Sequence, residues 1–281
     1  REQSMKLTFK RKLILSYLIS VTLPLVFLVG LTYWSVSQFL ESDAKLVISR
    51  QVEQSAKGYA RQLDDLHNAY KLINTQYGLL TFIQPRSQGG STYELNENYE
   101  RLYRFISSIE RSFNLSDIRI YLNGFNVPER STVLLDIERV NDLPIVDQIS
   151  RMYINFHHPY TFTRPDGEVH NVMSLSGPVI SINLFEQTGI VVIDTEAEPF
   201  QSELNRLSSL YNGFAAITDE TGRVFLAARD GEVLTVGDYE ALSAGFEFTV
   251  RHDLGTSGWT VNASVPALYF QSRGFELSRF I

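Results

Sequence analysis

The side chains in these 281 residues that could engage a small molecule are few. Arg119 and Tyr121 stand two apart in Asp117-Ile-Arg-Ile-Tyr-Leu122, Arg151, Tyr153 and Tyr160 follow near mid-chain, and Asp194 ends an apolar run. Residues i and i+2 of a strand share a face, so Arg119 and Tyr121 point the same way. One cation, one anion and several phenol rings suit a small polar ligand, with the charges giving orientation and the rings contact area. The same residues would also serve as surface ion pairs and sheet-edge cover, which bind nothing. No turnover machinery accompanies them: the sequence has no phosphate loop, no Gly-x-Ser-x-Gly elbow, no His-Glu-x-x-His and no dinucleotide fingerprint. His157 and His158 are adjacent and face opposite ways if extended, so they read as loop residues beside Pro159 rather than as metal ligands. Asp64-Asp65 reads as a solvated helix face. No catalytic residue, metal or cofactor is expected.

Composition narrows the partners. The net charge is −7, but residues 1–12 hold five basic groups and one acidic, leaving −11 on the remainder. Such a surface is unsuited to nucleic acid, whose binding rests on cationic neutralisation of phosphates. Cysteine is absent, which excludes disulfide-stapled scaffolds, thiolate chemistry and cysteine-ligated metals.

Leu13 to Leu31 contains no charged residue. As a helix it would rise about 28 Å, close to the ~30 Å hydrocarbon thickness of a bilayer. Lys6, Lys10, Arg11 and Lys12 precede this span, whereas Glu41, Asp43 and Lys45 follow, so the positive-inside rule puts the N-terminus in the cytoplasm and residues after about 40 outside. A cleaved signal peptide would have a shorter apolar core and a small-x-small site, which Val29-Gly-Leu-Thr-Tyr-Trp34 does not offer.

Beyond the membrane, Val52, Ala56, Tyr59, Leu63, Leu66, Tyr70, Ile73 and Tyr77 step by 4 and 3, predicting one long helix. Taken from Ser35 to Phe82 it would rise about 70 Å, its seam facing the chain's own sheets, a dimer partner, or both at different heights. Pro85 to Ser91 reads as a turn, and Leu95 to Phe113 as a second helix. The period then becomes two: strands are predicted at Asp117–Leu122, Thr132–Leu135, Tyr160–Thr163, Val169–Ile182 and Gly189–Asp194. Glu196–Tyr211 returns to helix and stops at Asn212-Gly213. A hairpin turning at Asp219-Glu-Thr-Gly222 and two further strands, Phe246–His252 and Trp259–Val265, complete the pattern.

This order of elements resembles the extracellular double Cache sensor of bacterial receptors. Lys10-Arg-Lys-Leu-Ile-Leu-Ser-Tyr-Leu-Ile19, Leu23-Pro-Leu25 and Tyr33 are similar to the first segment of YesM-type membrane sensor histidine kinases and related AraC-type regulators. Asp117-Ile-Arg-Ile-Tyr121, Gly189-Ile-Val-Val-Ile-Asp194, Ala216 to Phe225 and Ser257-Gly-Trp-Thr-Val261 add to the likeness. It implies an α+β fold in which a long helix bridges two tandem PAS-like antiparallel-sheet modules, the membrane-distal one holding the ligand. The expected division is a cytoplasmic N-terminus (1–12), a transmembrane helix (13–34), a bridging helix (35–84), a distal module (85–211), a proximal module (212–265) and an exit helix toward a second span (266–281). Family members that bind amino acids carry a Tyr, an Arg-x-Trp-Tyr and a later Asp. Arg151-Met-Tyr153 and Asp194 could stand at the last two, but Val146 replaces the first Tyr and no Trp follows Arg151, so an amino-acid ligand is not implied.

The implied function is the extracellular ligand-sensing region of a two-component sensor histidine kinase, homodimeric, receiving a small polar ligand or an extracellular solute-binding protein. A membrane-bound AraC-type regulator or a chemoreceptor could carry the same sensor. A membrane-tethered extracellular enzyme is the alternative from another class. That reading demands convergent acid, base or metal groups and turnover, where the sensor predicts saturable binding without turnover.

Overall fold

The computed structural model describes residues 9–75, 92–123, 133–163, 167–181, 186–230, 232–233, 239–243, 245–267 and 269–270. The predicted turn at Pro85–Ser91, the seam residue Tyr77 and the body of the exit helix lie outside them.

Helix α1 runs unbroken from Phe9 to Asn74, through Pro24. Its first part is not covered by the described residues: the described side chains from Lys12 to Phe39 are exposed, among them Leu18, Leu23, Phe27 and Leu31. A continuous exposed apolar surface of this size is foreign to a water-soluble face, and the helix is long and apolar enough to cross a membrane. From Val52 to Ile73 the predicted seam is buried, with Val52, Leu63, Leu66 and Ile73 fully enclosed, and Ile48 one turn earlier is buried with it. It packs on the chain's own sheets.

The order in which α1 meets those sheets follows from its hydrogen bonds and ring contacts. Lys45 lies over the rings of Phe248 and Phe270, and the Tyr59 hydroxyl donates to the Phe200 carbonyl at 3.0 Å. About three and four turns later the Tyr70 hydroxyl and the Asn74 amide both donate to the Pro178 carbonyl, at 2.8 and 3.3 Å. The sheet built from residues after 213 therefore lies nearer the apolar segment, and the one built from 117–196 farther along.

The farther sheet follows helix α2 (Thr92–Phe113) and contains β1 (Asp117–Leu122), β2 (Leu134–Asp136), β3 (Asn155–Thr163), β4 (Val169–Ser181) and β5 (Glu186–Glu196), in the order β2-β1-β5-β4-β3. Its pairs are antiparallel except β1 with the short β2, which is parallel and departs from the expected antiparallel sheet. Central β5 is buried on both faces, as its run of β-branched residues requires. Ile118, Ile120, Leu175, Val191 and Ile193 join the α1 core. Tyr121, Ile190 and Val192 face the other way, beneath the 3-10 turns Ile137–Asp142 and Val146–Gln148, whose flanking Val140, Leu143 and Ile145 close over them.

Strand β3 begins at Asn155, five residues before the predicted start, so His157 and His158 are strand residues and not loop. Proline is tolerated in a sheet at an edge or a bulge, and Pro159 has both: β3 is an edge strand and its register shifts between His157 and Tyr160.

Helix α3 (Glu198–Tyr211) ends at Asn212, which takes the left-handed conformation at φ 46°, and the Gly213 amide donates to the Ser208 carbonyl. A division at 211/212 would group this helix with the first sheet. Its buried Phe200, Leu204 and Leu207 lie instead beside the second sheet, where the Gln201 amide donates to the Ala227 carbonyl at 3.1 Å. That sheet comprises β6 (Phe214–Thr218), β7 (Val224–Arg229), β8 (Glu232–Val233), β9 (Phe248–Asp253) and β10 (Thr260–Val265), ordered β8-β7-β6-β10-β9, with a short helix α4 (Tyr239–Ser243) over Phe214.

Candidate functional site

Strand alternation puts Arg119 and Tyr121 of β1, and Asp194 of β5, on the face turned away from α1. Register places Asp194 opposite Ser174 of β4, and β3 brings in Tyr160. The Arg119 Nη2 group donates to Asp194 Oδ2 and, at 3.1 Å, to the Tyr160 hydroxyl. Tyr160 stands 3.3 Å from Asp194 Oδ1, and Ser174 Oγ lies 2.5 Å from that same oxygen and 2.9 Å from Tyr160. With one proton, Ser174 serves one of these partners at a time. The Phe162 ring lies 3.9 Å from the guanidinium carbon, a cation–π contact.

Arg119 is 1% exposed and Asp194 fully buried. Burial works against the charged guanidinium, yet Asp194, Tyr121, Tyr160 and Asp117 outweigh it and raise its pKa. Burial likewise pushes the Tyr121 phenol up to about 12 and raises that of Tyr160, so both rings stay neutral and able to donate. Two guanidinium nitrogens, Nε and Nη1, are buried and make no hydrogen bond to the described residues, although Nε is ion-paired with Asp117 Oδ2 at 3.8 Å. A buried donor left without an acceptor costs about 1–3 kcal/mol, more on a charged group.

Four of the six residues picked out by sequence are thus together: Arg119, Tyr121, Tyr160 and Asp194. Arg151 and Tyr153 are not. They belong to a surface connection in which the Ser150 hydroxyl accepts from the amides of Met152 and Tyr153, and Tyr153 is 68% exposed. Ser174 and Phe162 were missed. The alternation Val172, Ser174, Ser176 in a strand buried on both faces was the available signal, because buried hydroxyls need partners.

No protein-family model matches the chain, and no curated protein matches it. Solved structures do. The periplasmic sensory domain of the Campylobacter jejuni chemoreceptor Tlp1 is similar at a TM-score of 0.55 and 11% identity, over 83% of this chain and 98% of that one. The extracellular domain of the putative histidine kinase vpHK1S-Z8 is similar at 0.51 and 13%, over 83% and 95%. At these identities the likeness is one of fold. The chain has the fold of sensory domains carried by chemoreceptors and histidine kinases alike. Beside that fold stands the exposed helix that is long and apolar enough to cross a membrane.

Proposed function

We propose that this chain is the extracellular ligand-sensing region of a bacterial two-component sensor histidine kinase. In this reading a small polar ligand sits between β1, β5 and the turns over residues 137–149. The observation that carries the site is the buried Arg119 guanidinium, held on one edge by Asp194 and Tyr160, with Nε and Nη1 making no hydrogen bond to the described residues. A ligand oxygen would satisfy those donors, and Ser174 and Tyr160 supply neutral hydroxyls for the rest of the molecule. Binding biases the receptor only by its difference in affinity between two arrangements of the homodimer, which α1 would carry to the membrane.

Thermal unfolding of the full chain in detergent, against separate panels of organic acids, amino acids and sugars, tests the site. Saturable stabilisation by one class, weakened at least tenfold in Tyr160→Phe or Ser174→Ala, is the expected result. Silence from every class would leave a solute-binding protein as the input and remove the small-ligand reading. The kinase output is read separately, as ligand-dependent autophosphorylation of the receptor. Ligand-dependent swimming bias without autophosphorylation would assign a chemoreceptor instead.

A further inference from the structure

A cavity of about 440 Å³ lies where the two sheets meet, away from the Arg119 cluster. Its walls come from α1 (His67), from β3 (Phe156 and His158), from the β6–β7 turn (Asp219 and Glu220) and from the β9–β10 connection (Trp259). The sheets are joined here by aromatic rings. His158 stacks on Phe225 with centroids 4.4 Å apart, while Trp259 lies 4.6 Å from Phe225 and 5.7 Å from Phe156. Trp259 is 4% exposed, so its ring is fixed by packing before anything arrives.

The charges on these walls have one sign. Asp219 and Glu220 are acidic, and no Lys or Arg is among the described lining residues. Burial lowers the pKa of His67 and of His158, so both imidazoles are neutral at pH 7 and leave the acidic groups uncompensated. Arg223 acts on His158 from nearby without forming part of the wall. The Asp219 carboxylate is positioned: Oδ1 accepts from the amides of Thr221 and Arg223 at 2.9 and 3.0 Å, and Oδ2 lies 3.6 Å from His158 Nε2. His67 Nδ1 is buried and has no hydrogen-bond partner among the described residues.

We propose that this inter-sheet cleft binds a small organic cation, with the Trp259, Phe156 and His158 rings taking its apolar body and the Asp219 and Glu220 carboxylates its charge. Ring faces attract cations through their quadrupole, and the effect grows as the site is desolvated. The charged groups that an anion would meet on the described walls are the Asp219 and Glu220 carboxylates. A metal ion is disfavoured because the described residues contain no group of three His, Asp or Glu arranged to ligate one. An occupant would touch α1 and both sheets at once, so it would favour whichever relative placement of the sheets closes the cleft around it.

The test is calorimetric titration and thermal unfolding of the full chain in detergent with choline and with putrescine as probes, and acetate as the anionic control. At least one cation should bind saturably and acetate should not. Glu220→Gln, an exposed change that leaves the core untouched, and Trp259→Phe should each weaken the cation roughly fivefold. No binding of either cation, or equal binding in both variants, overturns the proposal. So does a cation response that disappears in Tyr160→Phe, since that would move the cation to the Arg119 cluster.

Discussion

At the scale of single residues, the Arg119–Asp194 pair makes opposite demands on stability and on binding. Desolvating two charges costs several kcal/mol, which their attraction and hydrogen bonds only approximately offset, whereas removing one partner strands the other. Asp194→Asn should therefore lower the unfolding free energy by about 3–5 kcal/mol in urea titrations. The double change Arg119→Met with Asp194→Leu should recover most of that loss while abolishing any ligand response. His157 supplies a pH signature of its own. Burial, then the neighbouring His158, hold its pKa near 4 against an ordinary 6.5, and its Nε2 lies 2.7 Å from Ser176 Oγ. Below about 6.5 the unfolded chain takes up a proton that the folded one refuses. Stability is thus fully present above that pH and declines toward pH 4, by roughly 3 kcal/mol for this group. In His157→Gln, urea midpoints between pH 7.5 and 4.5 should lose that portion of their slope.

At the scale of elements, the close approach of β1 to β5 depends on Gly189. A Cβ there would sit 2.1 Å from the Tyr121 carbonyl oxygen, a clash with backbone that has no side chain to move aside. Gly189→Ala should destabilise the protein by about 1–3 kcal/mol and weaken ligand binding with it, since the displaced strand carries Tyr121. On α1, Leu66→Ala removes a fully buried side chain and should cost about 2–5 kcal/mol, while exposed Arg61→Ala should leave the urea midpoint in place. These elements were the part most legible in the sequence. A 4-and-3 seam, a run of β-branched residues and an Asp-x-x-Gly turn each report a local period or a local φ requirement. Asn212-Gly213 and Gly222, at φ +82°, occur where such signals put them. The site was half legible for the same reason. Arg119 and Tyr121 share a face by alternation alone, but placing Ser174 against Asp194 needs the β4–β5 register, and expelling Arg151 and Tyr153 needs the path of a surface connection. The parallel β1–β2 pair and the 3-10 turns over the site depend on tertiary contacts that no window of sequence carries.

At the scale of the whole molecule, an exposed apolar helix runs into a fold shared with sensory domains. Leu25→Arg sets a charge near the middle of the span, costing about 2.5–3.5 kcal/mol of insertion. It should shift the protein from carbonate-resistant membrane to the soluble fraction. Protease added outside intact spheroplasts should cut residues after 40 and spare the basic N-terminus. The most direct test of the central claim is hydrogen–deuterium exchange of the full chain in lipid nanodiscs, with and without a pooled mixture of organic acids, amino acids and sugars. Ligand sensing at the Arg119 cluster predicts slowed exchange in residues 137–149, β1 and β5, lost in Tyr160→Phe. Protection confined to other parts of the chain, or none at any pool concentration, would contradict it.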